Sequence, residues 1–282
     1  MQKLWKPVVL FVAVVGILAS GCGEKPVPSD EQETPAAPEA ATQGEAAGEA
    51  PHWCYQPQEP CGPEYWGSLS PAWRTCSTGE RQSPVDIPGG EPSESAPALT
   101  LTYNPTPVVV MNSGHDIEVP YAPGSTLDIG DGQPFALRQF HFHNPSENAV
   151  EGARGAMEVH LVHARPAAAG PDELAVIGLL FDVGEENAFL AQFWDSIPEH
   201  KGEKDAGVSV NVADLLPELT YYQFTGSLTT PGCGEGVHWY VLRHQVTASA
   251  EQIARLNAAV GENARPLQPL NGRRIVEGPA AP

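Results

Sequence analysis

Positive charge is scarce in this chain: Lys and Arg number 15 against 35 Asp and Glu, a formal net charge of −20 at pH 7. A surface so poor in cations has little to offer a phosphate backbone, which argues against nucleic acid as a partner. Long hydrophobic runs are lacking as well. The apolar run from Val8 to Leu18 is too short to span a bilayer comfortably, so no transmembrane helix is expected. Helical periodicity is sparse, confined to Asn187 to Ile197 (Ala188, Leu190, Phe193, Trp194 and Ile197 at helical spacing) and to Ala250 to Val260 behind Ser249 as N-cap. No internal repeat is present.

The short apolar run has a different use. With Lys3 and Lys6 before it and small residues up to Gly21 and Cys22 after it, it reads as the core of a signal peptide over residues 1–21. Ala-Ser-Gly-Cys at 19–22 resembles a bacterial lipobox, although Ala19 stands where Leu is usual, and makes Cys22 the lipidated first residue of the mature chain. Residues 23–50 hold no aromatic and almost no large apolar side chain, so they cannot offset the entropy of ordering and form a tether. A flexible tether of about 28 residues reaches roughly 30 Å. Its net charge of −6 and the +2 of Lys3 and Lys6 leave −16 on residues 51–282. These residues are enough for one large domain. The expected location is extracytoplasmic, at the periplasmic face or the surface of a bacterial envelope, with membrane contact through the lipid anchor alone.

Four further cysteines, Cys54, Cys61, Cys76 and Cys233, permit three pairings, and an exported protein favours disulfides. Cys54 and Cys61 flank a turn containing Pro57 and Pro60 and are close enough in sequence for a small loop. Apolar and β-branched runs recur between turn signals at 99–103, 108–111, 117–119, 135–143, 157–163, 174–181 and 238–246. Proline and glycine punctuate nearly all the gaps, which predicts a mainly β, α+β domain: one large, mostly antiparallel twisted sheet with a few short peripheral helices.

Three histidines carry the chemistry. In Gln139-Phe140-His141-Phe142-His143, strand alternation sends both imidazoles to one face and both phenyl rings to the other. His160, in Glu158-Val159-His160, completes the set if its strand pairs alongside. Three neutral imidazoles with one open position suit a catalytic Zn²⁺. Gln139 and Glu158, each two residues before a histidine, lie on the same face and suit the role of orienting the ligands.

From here the chain resembles the α-class carbonic anhydrases. The resemblance runs in order through Trp53-Cys54-Tyr55, Gln82 to Ile87, Asn112-Ser113-Gly114-His115, Gln139 to His143, Pro145 to Asn148, Glu158 to His163, Gly226 to Pro231 and Arg265 to Arg273, covering about residues 52–274. It implies that His141, His143 and His160 bind zinc, with Gln139, Glu158 and the carbonyl of Asn263 as their partners. Thr229 and Glu147 then orient a zinc-bound hydroxide that attacks carbon dioxide to give bicarbonate. His115 matches the proton shuttle. Val162, Val176, Leu228, Val237 and Trp239 match an apolar wall for carbon dioxide, Thr230 lines the site, and Tyr55, Ser113 and Glu118 match the side that orders water toward His115. By resemblance Cys76 pairs with Cys233. Gly232 replaces a proline common in the family and is expected to loosen the turn beside Thr229. Cys54 replaces a usual glycine, which fits an extra bridge to Cys61.

The expected partners are carbon dioxide and bicarbonate and, at most, a second copy of the chain. Two other readings are open to these residues. His141-x-His143-x-x-x-Glu147 followed by His160 also fits the metal motif of cupin oxygenases, where Glu147 would be a ligand to iron or manganese. A carbonic-anhydrase-like binding module that has lost catalysis is the other, although such losses typically remove a ligand histidine and none is missing.

Overall fold

A computed structural model describes residues 51–93 and 96–279. The signal peptide, Cys22 and the tether over 23–50 lie outside the described residues. Among the described residues no helix is long and apolar enough to cross a membrane.

The core of the domain is a 13-stranded sheet. Strand Phe135–His143 pairs antiparallel with Met157–Arg165, which pairs antiparallel with Glu173–Val183. On the other side of Phe135–His143 lie Ile117–Pro120, Thr106–Asn112 and, at the edge, Gly202–Val210. The sheet is mixed, because Glu173–Val183 runs parallel to Glu235–Leu242 and to Val246–Ala248.

Each face of the central strands carries its own apolar cluster. Phe140, Phe142, Val159, Leu161, Ile177 and Leu179 pack on one face beneath Phe189, Phe193, Trp194 and Leu256. Val176, Leu180, Val237, Trp239 and Val241 pack on the other. Burying both faces is what allows the central strands to read as nearly continuous apolar runs.

The sequence and the structure differ in several places. The apolar run at 238–246 is two strands, Glu235–Leu242 and Val246–Ala248, interrupted at Arg243 and His244. The helix expected over 187–197 is a single turn, Ala188–Ala191, capped by Asn187 Oδ1, and then a 3₁₀ turn, Trp194–Ser196. It breaks because Trp194 turns inward to donate from Nε1 to the carbonyl of Gln252 at 2.8 Å. Strand Gly202–Val210 is polar and mostly exposed, so it carries no apolar pattern to read. Strand Tyr221–Ser227 has its partners at Glu235–Leu242 and Val276–Gly278.

The helix Ala250–Val260 forms as expected behind Ser249. Ser249 Oγ accepts from Gln252 N, and Gln252 Oε1 accepts from Ser249 N, a capping box. Both disulfides form, Cys54–Cys61 and Cys76–Cys233.

Candidate metal centre and active site

The register of two strands builds the centre. His160 lies opposite His141, and Glu158 opposite His143, so strand alternation puts all three imidazoles on one face. Their ring centroids are 4.5–5.2 Å apart, and one nitrogen from each lies within 4.8 Å of the others. Gly178, opposite His160 on the next strand, leaves room for the carboxylate of Glu158: a Cβ there would sit 2.8 Å from Oε1.

Two of the rings are turned by an oxygen acceptor. His141 Nδ1 is 2.8 Å from Gln139 Oε1, and His143 Nδ1 is 2.9 Å from the Asn263 carbonyl. An N–H donating at Nδ1 leaves the Nε2 lone pair of both rings free. His160 is turned the other way: Nε2 lies 3.1 Å from Glu158 Oε1, close but not aligned as a hydrogen bond, and Nδ1 points to the other two rings' side. Burial first, and then the neighbouring histidines, hold His141 well below the ordinary imidazole range, and burial followed by His143 does the same for His160. Both are therefore neutral, the form that binds metal.

Glu158 is itself fixed, accepting from the backbone of Glu147 and Asn148 and from Asn148 Nδ2, each at 2.8 Å. Burial pushes its carboxyl up, and the Asn148 hydrogen bonds oppose that. His143 Nε2 is buried without a hydrogen-bond partner. Three convergent nitrogens, an orphaned one among them, fit a tetrahedral zinc with one position open.

Glu147 is buried beside this group. Its Oε1 accepts from the backbone of Arg265 at 2.8 Å. The expected hydrogen bond to Thr229 is not made: Oε2 has no hydrogen-bond partner and lies 3.5 Å from His143 Nε2. Position i+4 from His143 places that oxygen on the histidine face. It is nevertheless not part of the metal-capable group, which is His141, His143 and His160.

A cavity of about 230 Å³ opens over His141 and His160. Val162, Val176, Leu228 and Trp239 form its apolar side, with Thr229 and Thr230 beside them. Val237 lies behind this wall in the same apolar cluster rather than on the cavity surface. Trp239 stands edge-on to His160, 4.8 Å away, and donates from Nε1 to the Ser227 carbonyl.

The turn beside Thr229 is hydrogen-bonded. Cys233 N donates to Thr230 O at 3.0 Å around Pro231 and Gly232, with Gly232 at φ +100°. That is the pattern of a type II turn, and proline, fixed near φ −65°, has no access to it. The Cys76–Cys233 disulfide ties it down from outside.

The polar side holds Glu118, Gln139 and Asp116. Burial and then Asp116 push the Glu118 carboxyl up. Asp116 went unnoticed in the sequence. The available signal was strand alternation, which sets 116 and 118 on one side of Ile117.

His115 opens instead on a neighbouring cavity of about 410 Å³, shared with His52, Trp53 and Tyr55. Its ring stacks on Trp53. Burial holds His115 below the ordinary imidazole range, Asp116 opposes this, and Lys201 and His52 add to the lowering. Tyr55 has a buried hydroxyl without a partner, its pKa raised by burial, Glu147 and Asp116 in that order. Ser113 Oγ sits within the His115 turn, accepting from His115 N at 3.1 Å.

Comparison with known proteins agrees with this geometry. A family model described as eukaryotic-type carbonic anhydrase matches residues 61–278. Carbonic anhydrases of Pectobacterium atrosepticum and Neisseria gonorrhoeae are 42% and 40% identical over 234 residues, each covering 82% of this chain and 93% and 90% of their own length. The solved α-carbonic anhydrase of Photobacterium profundum superposes with a TM-score of 0.72 at 42% identity, covering 80% of this chain and all of its own.

Proposed function

The chain belongs to the eukaryotic-type carbonic anhydrase family, an enzyme family of carbon dioxide hydration, and from that premise we propose that it works through zinc held by His141, His143 and His160. The observation that carries this reading is the convergence of three imidazoles whose other nitrogens face Gln139, Asn263 and Glu158. Zinc bound there supplies a Lewis acid that lowers the pKa of a coordinated water to about 7, a general property of such sites for which carbonic anhydrases are the standard example.

The chain's own residues do the rest. The apolar wall of Val162, Val176, Leu228 and Trp239 receives carbon dioxide, which carries no net charge or dipole. Thr229 Oγ1, at the edge of that wall, would accept a hydrogen bond from the attacking oxygen, and its own O–H, once turned toward the unpaired Glu147 Oε2, would keep that oxygen's lone pair aimed at the carbon. The attacking oxygen would bond to the carbon as one carbon–oxygen π bond of carbon dioxide gives its electron pair to its own oxygen, which yields bicarbonate. The proton left over from splitting water travels past Tyr55 and Ser113 to a ring nitrogen of His115, which hands it to buffer. Val237 supports the wall from behind.

Outside the catalytic domain we assign residues 1–21 to a signal peptide, Cys22 to lipidation and 23–50 to the tether. The two disulfides support an extracytoplasmic setting. Stopped-flow hydration of carbon dioxide tests the reaction. The protein should accelerate it, and His115→Ala should slow turnover in dilute buffer and be partly restored by imidazole; an unaltered rate in that variant removes the shuttle.

A further inference from the structure

Asp116 lies where the two halves of the site adjoin in the chain. It lines the cavity over His141 and His160, while its backbone neighbour His115 opens on the other cavity. A small network joins them. Ser113 Oγ accepts from His115 N at 3.1 Å and from Asp116 N at 3.0 Å, and its own proton goes to Asp116 Oδ1. Ser113 N donates to Asp116 O at 3.1 Å and closes the turn. Asn263 Nδ2 donates to the His115 carbonyl at 2.9 Å, so the same asparagine that accepts from His143 also holds the turn to the metal strand.

We propose that Asp116 is a positioning residue for proton transfer: it braces the turn that carries His115 and fixes a negative charge between the metal-ligand cavity and that imidazole. The proposal rests on His115 being the shuttle. His115 must accept a proton where burial, Lys201 and His52 all disfavour it, and a carboxylate beside it offsets that cost. The other ionisable groups lining its cavity are Tyr55, Glu59 and Glu262.

The test is an NMR titration of the His115 ring in the metal-loaded protein, assigned by its loss in His115→Ala, with turnover measured against pH in dilute buffer. Asp116→Asn keeps an oxygen acceptor for Ser113 and removes the charge. It should move the His115 midpoint down by about 0.5 to 1 pH unit, and the midpoint of turnover with it. Asp116→Glu should bring both most of the way back. The proposal is overturned if Asp116→Asn titrates like the unaltered protein, or if Asn and Glu shift the midpoint alike, since geometry alone would then explain the effect. If His115→Ala turns over normally in dilute buffer, the shuttle falls and this role with it; if that variant is slow while Asp116→Asn is unchanged, only the role of Asp116 falls.

Discussion

Trp53 lies flat on His115, with ring centroids 3.8 Å apart and planes 11° from parallel. The indole is in turn held edge-on by Trp66 at 5.3 Å, whose Nε1 donates to the carbonyls of both Cys54 and Cys61. Burial is the largest cause of the low His115 pKa. Trp53→Ala should therefore return water to the protonated ring and raise its midpoint toward 6.5, opposite in sign to the loss of the Asp116 charge. NMR titration of the ring checks this.

The metal ligands and their orienting partners should separate in a binding experiment. His160→Ala removes one of three nitrogens and should abolish stoichiometric zinc. Gln139→Ala leaves all three but frees the His141 ring, so zinc affinity should fall about 10- to 100-fold. Competition with a chelator measures both; a His160→Ala variant with full zinc and full activity contradicts the assignment.

Cys76 and Cys233 are 157 residues apart. In the chain-entropy account a loop of that length stabilises by about 5 kcal/mol, an account that calorimetry disputes. The Cys76→Ser, Cys233→Ser double variant should unfold at a clearly lower urea concentration. It should also loosen the Thr229 turn, measurable as faster amide exchange at Thr230 and Cys233.

His163 gives a pH dependence of stability. Fully buried, donating toward the Ala175 carbonyl and 2.6 Å from the Tyr103 hydroxyl, it is lowered by burial from 6.5 to about 4. Between those values the unfolded chain binds a proton here and the native one does not. Stability from this group is thus complete above pH 6.5, falls as the pH falls, and levels off below about 4, a loss on the order of 3 kcal/mol. Urea midpoints at pH 7.5 and 5 should differ less in His163→Gln than in the unaltered protein.

Much of the centre is legible in the chain because strand alternation is a strict rule. Residues 135–143 form a single strand with His141 and His143 on one face, and the short separation to His160 allows only a neighbouring strand. Ser249 and Gln252 likewise announce their helix. What is not legible depends on distant partners. The polar strand Gly202–Val210 is placed by the edge it pairs with and by Val210 reaching the core. Trp194 leaves its helix for a carbonyl 58 residues away. Gly232 reads as a weakness until its φ is known, and Asp116 looks like one more surface carboxylate until Ser113 and the cavity place it.

The most direct test of the account is carbon dioxide hydration by one preparation of the protein as purified, after zinc removal, and after zinc is returned. Activity that disappears and comes back with zinc is the predicted result. Inactivity with stoichiometric zinc and both disulfides intact would contradict it and leave a carbonic anhydrase fold kept for binding.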